Sequence, residues 1–225
     1  VSDCAKDDIA RAFKLAQSRI QVVSNGIDTD QFHPLEGVQR KPYRLLTTTS
    51  ADVPLKGLRF LLKAVAQLVP QLPELELVVV GMPKEKSPIF DMIAHLGLAD
   101  RVHFTGTIDN AAYVRQYARA WAAVVPSLYE GFGLPAGEAM ACGVPVISTT
   151  GGALPEVVGD AGMLVPPADH HALAQAIRTV CEDTQLARSL GAAGHHRVLQ
   201  HFTWEAAARK TVEIYQQAIH DHRRL

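Results

Sequence analysis

The sequence predicts an α/β fold: a Rossmann-like, doubly wound parallel sheet with extra helices at the C-terminal end. Two observations predict it. Short runs rich in Val, Ile and Leu alternate with segments of helical periodicity, and runs that are apolar at nearly every position are typical of strands buried on both faces of a sheet. The candidate strands are residues 20–23, 44–50, 75–81, 101–106, 122–127 and 144–150.

Helical segments lie between these strands and continue after them. Apolar residues from Leu58 to Val69 recur three and four positions apart, and Pro70 follows as a stop signal. Asp169 is an expected N-cap for the first helix after the sheet region. No repeat or linker interrupts the pattern, so residues 1–225 are interpreted as a single domain. The other predicted helices cover residues 87–96, 110–120, 135–141, 154–158, 186–199 and 204–219.

The composition narrows the class of function. Of the 225 residues, 48% are apolar, and 22 basic residues nearly balance 23 acidic ones, which argues against a nucleic-acid partner. The three cysteines are far apart and no two histidines have H-x-x-x-H spacing, so we expect no disulfide framework and no metal site. No run is long enough to span a membrane. A cytoplasmic location is expected, and the terminal HDHRRL is compatible with weak peripheral contact with anionic lipid.

The loop after the fifth candidate strand carries the strongest functional signal. Ligands of open α/β sheets bind beyond the carboxyl ends of the strands, and this loop reads YEGFGLPAGE, from Tyr129 to Glu138. Gly131 and Gly133 let the backbone approach a ligand closely, and Pro135 suits the first turn of a helix. The free amides and the positive dipole end of such a helix form a site for a phosphate-sized anion.

Two carboxylates flank this anion site. Glu130 lies at the end of the strand, and Glu138 stands eight residues later, about one turn into the helix. Carboxylates accept paired hydrogen bonds from vicinal hydroxyls, as an acidic residue does from a ribose in dinucleotide-binding folds. A sugar on each side of a diphosphate would therefore satisfy both side chains. The alternative is that Glu130 only caps the loop and that Glu138 is a solvated helix residue. The glycines and the proline between them make this alternative the weaker interpretation.

Three further segments bear on a phosphate site. Lys56 precedes a predicted helix at the same sheet edge, where its charge would stabilise a departing diphosphate. Gly26 and the glycine pair 151–152 are turn signals that also allow close backbone approach to phosphate.

Residues 131–136, GFGLPA, match the G-x-G-x-x-A dinucleotide fingerprint, but they do not follow the first strand. A nicotinamide-dependent oxidoreductase is therefore an alternative supported by this motif alone.

Several motifs together resemble the retaining glycosyltransferases of family 4, which have the two-domain GT-B architecture. They are EGFGLPAGE at 130–138, continued by AMACGVPVIST, then GGALPEVVGDAGMLVPPAD, and VVSNGIDTDQFHP near the start. The resemblance runs from about residue 21 to residue 215. It implies that this chain is the donor-binding domain of a hexosyltransferase-type enzyme, inactive without an N-terminal acceptor-binding domain that lies outside the chain. Residues 1–18 and helix 204–219 are then expected to run along or across to that domain.

The resemblance also implies the substrate and the roles of individual residues. The donor is a nucleoside-diphosphate sugar, transferred with retention to an acceptor and without a metal or another cofactor. Glu130 holds hydroxyls of the donor sugar, and Glu138 holds those of the nucleotide ribose. Glu130 and Lys56 are the implied catalytic residues. The diphosphate is implied to meet the backbone amides of Phe132, Gly133 and Leu134. The main chain near Thr107 is implied to contact the base, and Gly26 to lie beside the donor's phosphates in the interdomain cleft.

One position departs from the family pattern. The family usually has an Arg about five residues before the Lys, and this sequence has Ala51 there. We therefore expect Lys56 to meet the diphosphate together with backbone amides alone. Besides the oxidoreductase, two alternatives remain open at this point: a nucleotide-binding module without catalytic activity, and a sugar-nucleotide epimerase of the same two-domain build.

Overall fold

The computed structural model describes residues 1–48 and 53–222. Within these residues, six parallel strands form one sheet in the order β3-β2-β1-β4-β5-β6. This is the strand order of a doubly wound sheet, and it confirms the predicted fold class. The strands are β1 (Arg44–Thr48), β2 (Glu76–Val80), β3 (Val102–Phe104), β4 (Ala122–Val125), β5 (Val146–Thr149) and β6 (Met163–Val165).

Helices cover both faces of the sheet and extend the C-terminal end. Asp169 caps α7 as predicted, since its carboxylate accepts hydrogen bonds from two amides of the first turn. Short 3-10 turns occupy Gln17–Arg19 and Pro54–Lys56. The helices are α1 (Asp3–Phe13), α2 (Leu58–Leu68), α3 (Pro88–His95), α4 (Asn110–Arg119), α5 (Leu134–Ala141), α6 (Leu154–Val158), α7 (His170–Glu182), α8 (Thr184–His201) and α9 (Trp204–His222).

Two apolar clusters fill the space between the sheet and its two helix layers. Leu45 belongs to the cluster under α2, α3 and α7, whereas its neighbour Leu46 belongs to the cluster under α4, α5 and α6. Successive strand side chains point to opposite faces, so a strand buried on both faces is mostly apolar, although β1 also buries Arg44 and Thr47. The almost continuous apolar runs in the sequence therefore predicted five of the six strands.

The predicted strand at residues 20–23 is wrong. These residues have no regular secondary structure, and they are partly or fully exposed. This connecting segment joins the rest of the fold at Ile27, whose amide donates a hydrogen bond to the carbonyl of Phe202 at 2.7 Å. A four-residue apolar run does not distinguish a strand from an extended connection. Strand β6 and helix α1 were not predicted; β6 has only three residues, and its sequence runs directly into two prolines.

The topology brings together two loops that are far apart in sequence. Strand β1 lies at the centre of the sheet, between β2 and β4, where the strand order changes direction. The described segment from residue 53 and the loop after β4 therefore meet at the same sheet edge, where the amide of Leu128 donates to the carbonyl of Leu55 at 2.7 Å. This edge is the position where doubly wound folds bind their ligands. Residues 49–50 of the predicted strand 44–50 lie outside the described residues.

Helix α9 has an exposed apolar face. Trp204, Val212, Tyr215 and Ile219 are each more than half exposed. Among the helices that the structure describes, none has the length and apolarity required to cross a lipid bilayer.

Candidate functional site

Lys56 and Glu130 form an ion pair at this sheet edge. The distance from Lys56 Nζ to Glu130 Oε1 is 2.8 Å, and Ser127 Oγ donates to the same oxygen, also at 2.8 Å. The Glu130 side chain is 11% exposed and that of Lys56 is 33% exposed. Within the described part of the chain, Glu130 Oε2 accepts no hydrogen bond. The pair therefore joins a reachable cation to a carboxylate with one oxygen available.

The backbone of Glu130 is fixed by the glycine pair after β5. The Glu130 carbonyl accepts a hydrogen bond from the amide of Ala153 at 2.8 Å. A Cβ at Gly152, where φ is +65°, would lie 2.2 Å from that carbonyl oxygen, and a Cβ at Gly151 would lie 2.4 Å from the carbonyl oxygen of Leu128. These glycines are thus required by contact with the protein's own loop, a reason that the sequence did not reveal.

Helix α5 begins at this loop with unoccupied amides. Gly133 is its N-cap, with φ +105° and no side-chain capping bond, and Leu134 and Pro135 form its first turn. Among the described residues, the amides of Phe132, Gly133 and Leu134 donate to no backbone or side-chain acceptor outside the helix. The Phe132 side chain is buried against Phe202, so only its backbone faces the site. This arrangement supplies free N–H donors and a positive dipole end to an anion.

Glu138 is held from α4 by two phenols. Tyr113 donates to Glu138 Oε2 at 2.8 Å, Tyr117 lies 3.2 Å from the same oxygen, and the two phenol oxygens are 3.0 Å apart. Burial raises the pKa of Glu138, and the hydrogen bonds from the two tyrosines lower it in part. Burial, followed by the nearby charge of Glu138, raises the pKa of Tyr113. Both phenols are therefore neutral donors at ordinary pH.

The comparisons with known proteins identify the family. The model of the family described as glycosyl transferases group 1 matches residues 34–197. The chain belongs to this family. It is 40% identical over 222 residues to the MMP alpha-(1->4)-mannosyltransferase of Mycolicibacterium hassiacum, a match that covers 97% of this chain and 53% of that protein. The chain thus spans about half the length of the curated relatives that it matches.

Two solved structures have the same fold. The crystal structure of Anabaena HepE in complex with UDP and glucose superposes with a TM-score of 0.83 at 25% identity, covering 96% of this chain and 61% of that one. The C-terminal domain of the glycosyl transferase group 1 protein LpcC from Francisella tularensis superposes with a TM-score of 0.71 at 27% identity. That match covers 80% of this chain and all of the LpcC chain. The GT-B type of fold expected from the resemblance is confirmed.

The remaining predicted residues of this glycosyltransferase domain lie on neighbouring loops. Gly26 is buried, and a Cβ there would lie 2.5 Å from Trp204 Cδ2, so its small size is required by the start of α9. Thr107 is exposed, just after Gly106, whose amide donates to the carbonyl of Gly81 at 3.1 Å. The structure brings Lys56 and Glu130 into direct contact and places Glu138 on the adjacent helix. Gly26 and Thr107 make no hydrogen bond to these three described side chains.

Two further predictions concern cations. Ala51, at the position of the usual family Arg, lies outside the described residues, so the prediction that Lys56 acts without an Arg partner stays a prediction. Across residues 1–48 and 53–222, no three side chains of the His, Cys, Asp or Glu type are grouped so that they could hold a metal ion. Lys56 and the amides of α5 are positive groups that the described site offers to an anion.

Several residues of the site were not predicted from the sequence. Ser127 and the tyrosines of α4 were not singled out, although the four-residue spacing of Tyr113 and Tyr117 places both on one helix face. The start of α1 was missed as well. Ser2 Oγ donates to the carbonyl of Gly131 at 2.7 Å, and the Glu156 carboxylate accepts from two amides of the first turn of α1, at 2.7 and 2.8 Å. The first helix is therefore anchored on the loop that leads into α5.

Proposed function

We propose that this chain is the donor-binding domain of a retaining glycosyltransferase of family 4, and that it binds a nucleoside-diphosphate sugar. The observation that carries the proposal is the start of α5, where free amides lie between two carboxylates and beside Lys56. A diphosphate fits the amides and the cation, and a sugar on either side of it fits Glu130 and Glu138. The structural similarity to HepE, which was crystallised with UDP and glucose, supports the same ligand class.

The Lys56–Glu130 pair suggests how the donor enters the site. A diphosphate carries more negative charge than one carboxylate, so it competes with Glu130 for Lys56. When Lys56 moves to the diphosphate, Glu130 Oε1 becomes free to accept hydroxyls of the donor sugar. Ser127 still donates to that carboxylate and keeps it oriented, because this hydrogen bond does not depend on Lys56. Donor binding thus exchanges one ion pair for two ligand contacts.

In the proposed reaction, the bond between the anomeric carbon and the diphosphate oxygen breaks with both electrons going to the diphosphate. The acceptor hydroxyl oxygen bonds to the anomeric carbon on the same face, and its proton passes to an oxygen of the departing diphosphate. Lys56 and the amides of α5 stabilise the negative charge that develops there, and removal of such a group typically costs about 3 kcal/mol of transition-state stabilisation. This cation and these amides supply the charge neutralisation, so the proposal uses no metal.

Acceptor binding is assigned to a part of the enzyme outside this chain. The chain spans about half the length of its curated relatives, and it covers the complete chain of the LpcC C-terminal domain. The exposed apolar face of α9 is compatible with a second domain next to it. We propose that transfer requires that N-terminal domain. The cytoplasmic location stays a prediction. The weak peripheral membrane contact also stays a prediction, because residues 223–225 of the basic terminus lie outside the described residues.

Calorimetric titration of the protein with UDP, GDP, ADP and NADH tests the proposal. We expect one nucleoside diphosphate to bind, NADH not to bind, and Glu138→Ala to weaken the binding by about tenfold. Glu205→Ala, on the exposed start of α9, is the matched control and leaves the affinity unchanged. Binding of NADH in preference to every nucleoside diphosphate would favour the oxidoreductase alternative. Binding without sugar transfer by the full-length enzyme would favour a module without catalytic activity.

A further inference from the structure

The two oxygens of the Glu138 carboxylate have different surroundings. Oε2 lies within hydrogen-bond distance of both Tyr113 and Tyr117. Oε1 accepts no hydrogen bond within residues 1–48 and 53–222, and the residue as a whole is only partly buried. A carboxylate oxygen has two acceptor positions, so the phenols occupy those of Oε2 and leave both positions of Oε1. One oxygen with two free positions matches two adjacent hydroxyl groups.

We propose that Tyr113 and Tyr117 are positioning residues that orient Glu138 Oε1 toward the vicinal hydroxyls of the ribose and make the site select ribonucleotides over deoxyribonucleotides. This inference rests on the proposed function, since it concerns the nucleotide part of the same donor. The tyrosines do not touch the ligand in this account. They act by fixing which oxygen of Glu138 faces it.

Tyrosine suits this task better than a basic residue. An Arg beside Glu138 would form two parallel hydrogen bonds and occupy both carboxylate oxygens. A phenol has one O–H, so it engages a single oxygen. Tyr113 directs its proton to Oε2 at 2.8 Å, whereas Tyr117 shares its proton between Oε2 at 3.2 Å and the carbonyl of Pro135 at 3.3 Å. Tyr113 is therefore the stronger of the two contacts.

The surroundings of the tyrosine pair are rigid. Tyr117 is 1% exposed, and the buried ring of Phe32 packs edge-on against both phenols, at centroid distances of 5.7 Å and 6.2 Å. Arg40 joins the ends of the two helices, since its guanidinium donates to the carbonyls of Ala120 after α4 and Gly143 after α5. The orientation of Glu138 is thus set during folding, so little conformational entropy is lost when the ribose binds.

A purely structural role of the tyrosines makes a different prediction. If the phenols only satisfied a partly buried carboxylate, their loss would weaken the binding of every nucleotide by the same factor. A positioning role changes the ratio between the affinities for the ribonucleotide and for its 2′-deoxy counterpart. This ratio is insensitive to a loss of folded protein, because both ligands are measured on the same sample.

The experiment compares Tyr113→Phe with the wild type by calorimetry, using the pairs UDP and dUDP, GDP and dGDP, and ADP and dADP. For the base that binds, we expect the wild type to prefer the ribonucleotide by about tenfold and the variant by about twofold. Tyr43→Phe is the matched control, because Tyr43 precedes β1 at the opposite edge of the sheet, and it keeps the wild-type ratio. Tyr117→Phe is expected to reduce the ratio less than Tyr113→Phe does.

Each outcome has a distinct meaning. If Tyr113→Phe keeps the full ribonucleotide preference of the wild type, the inference is overturned and the proposed function is left intact. A wild type that binds a nucleoside diphosphate without any preference removes the ribose contact of Glu138 and the inference with it. Binding of no nucleoside diphosphate overturns the proposed function as well. If Tyr113→Phe does not fold, as judged by thermal unfolding, the ratio in Tyr117→Phe decides in the same way.

Discussion

The two carboxylates that flank the start of α5 are held by opposite kinds of partner. Glu130 is paired with a cation, Lys56, which is 33% exposed, whereas Glu138 accepts hydrogen bonds from two neutral phenols, one of them 1% exposed. An exposed lysine can leave a carboxylate for a more highly charged anion. A phenol packed within the core keeps its position. The Glu130 end of the site can therefore exchange its ion-pair partner, whereas the Glu138 end keeps a fixed geometry.

The largest effect is expected at the exchangeable end. Glu130→Gln in the full-length enzyme should lower the rate of sugar transfer by about a hundredfold or more, because a neutral amide holds the hydroxyls of the donor sugar in the reactive position more weakly than a carboxylate does. The affinity for the nucleoside diphosphate should stay within about threefold, since the variant retains Lys56 and the amides of α5. Release of nucleoside diphosphate measures the rate, and unchanged transfer would refute the assignment of Glu130.

Lys56→Met should weaken binding of the nucleoside diphosphate by about thirtyfold, because a methionine fills similar space without the charge. Binding of the nucleoside without phosphate should not change. Lys63→Met, on the exposed face of α2, is the control and should bind both ligands as the wild type does. An equal loss of affinity for the nucleoside and the diphosphate in Lys56→Met would show that Lys56 supports the fold of the site and does not contact phosphate.

The backbone support of Glu130 can be tested by Gly152→Ala. A Cβ there would lie 2.2 Å from the Glu130 carbonyl oxygen in a backbone with φ +65°, so we expect the free energy of unfolding to fall by about 3 kcal/mol. Gly97→Ala is the matched control, because Gly97 has φ +67° and a Cβ added there would have no described atom within 4 Å. Denaturant unfolding of both variants separates the contact from the backbone strain, and equal losses would contradict the close approach.

The smallest effect concerns the pH dependence of stability at the fixed end. The pKa of Glu138 is raised in the folded protein, so between the ordinary carboxyl value of 4.5 and the raised value the folded state binds more protons than the unfolded state. The stability that the protonated Glu138 carboxyl confers is fully present below pH 4.5, and it is lost as the pH rises through the raised pKa. Glu138→Gln should remove this decline from the curve of unfolding free energy against pH. Identical curves would contradict the pKa direction.

The fold was predictable from sequence because buried strands and helices have characteristic patterns of apolar residues. Strands such as β2 and β4 are apolar at almost every position, and α2 repeats its apolar residues every three or four positions. The segment 20–23 has the same composition as a strand but has no sheet neighbour. A local pattern contains no information about the partner with which a strand must pair.

The site was predictable only in part, for the same reason. Glycines and a proline before a helix are a local signal, so the loop at 130–138 was found from the sequence. The ion pair joins Lys56 to a residue 74 positions away, and the contact of Tyr113 with Glu138 spans 25 positions. The sequence predicted that both ends would meet a ligand. It did not show that Lys56 and Glu130 hold each other, or that two tyrosines determine which oxygen of Glu138 is available.

The most direct test of this account is a crystal structure of the protein with the nucleoside diphosphate that titration identifies. We expect Lys56 Nζ to have left Glu130 and to lie within hydrogen-bond distance of a phosphate oxygen, together with the amides of Phe132, Gly133 and Leu134. We also expect the ribose hydroxyls to bond to Glu138 Oε1 while Tyr113 remains on Oε2. A nucleotide bound elsewhere, or one bound with the Lys56–Glu130 pair still closed at 2.8 Å, would contradict the account.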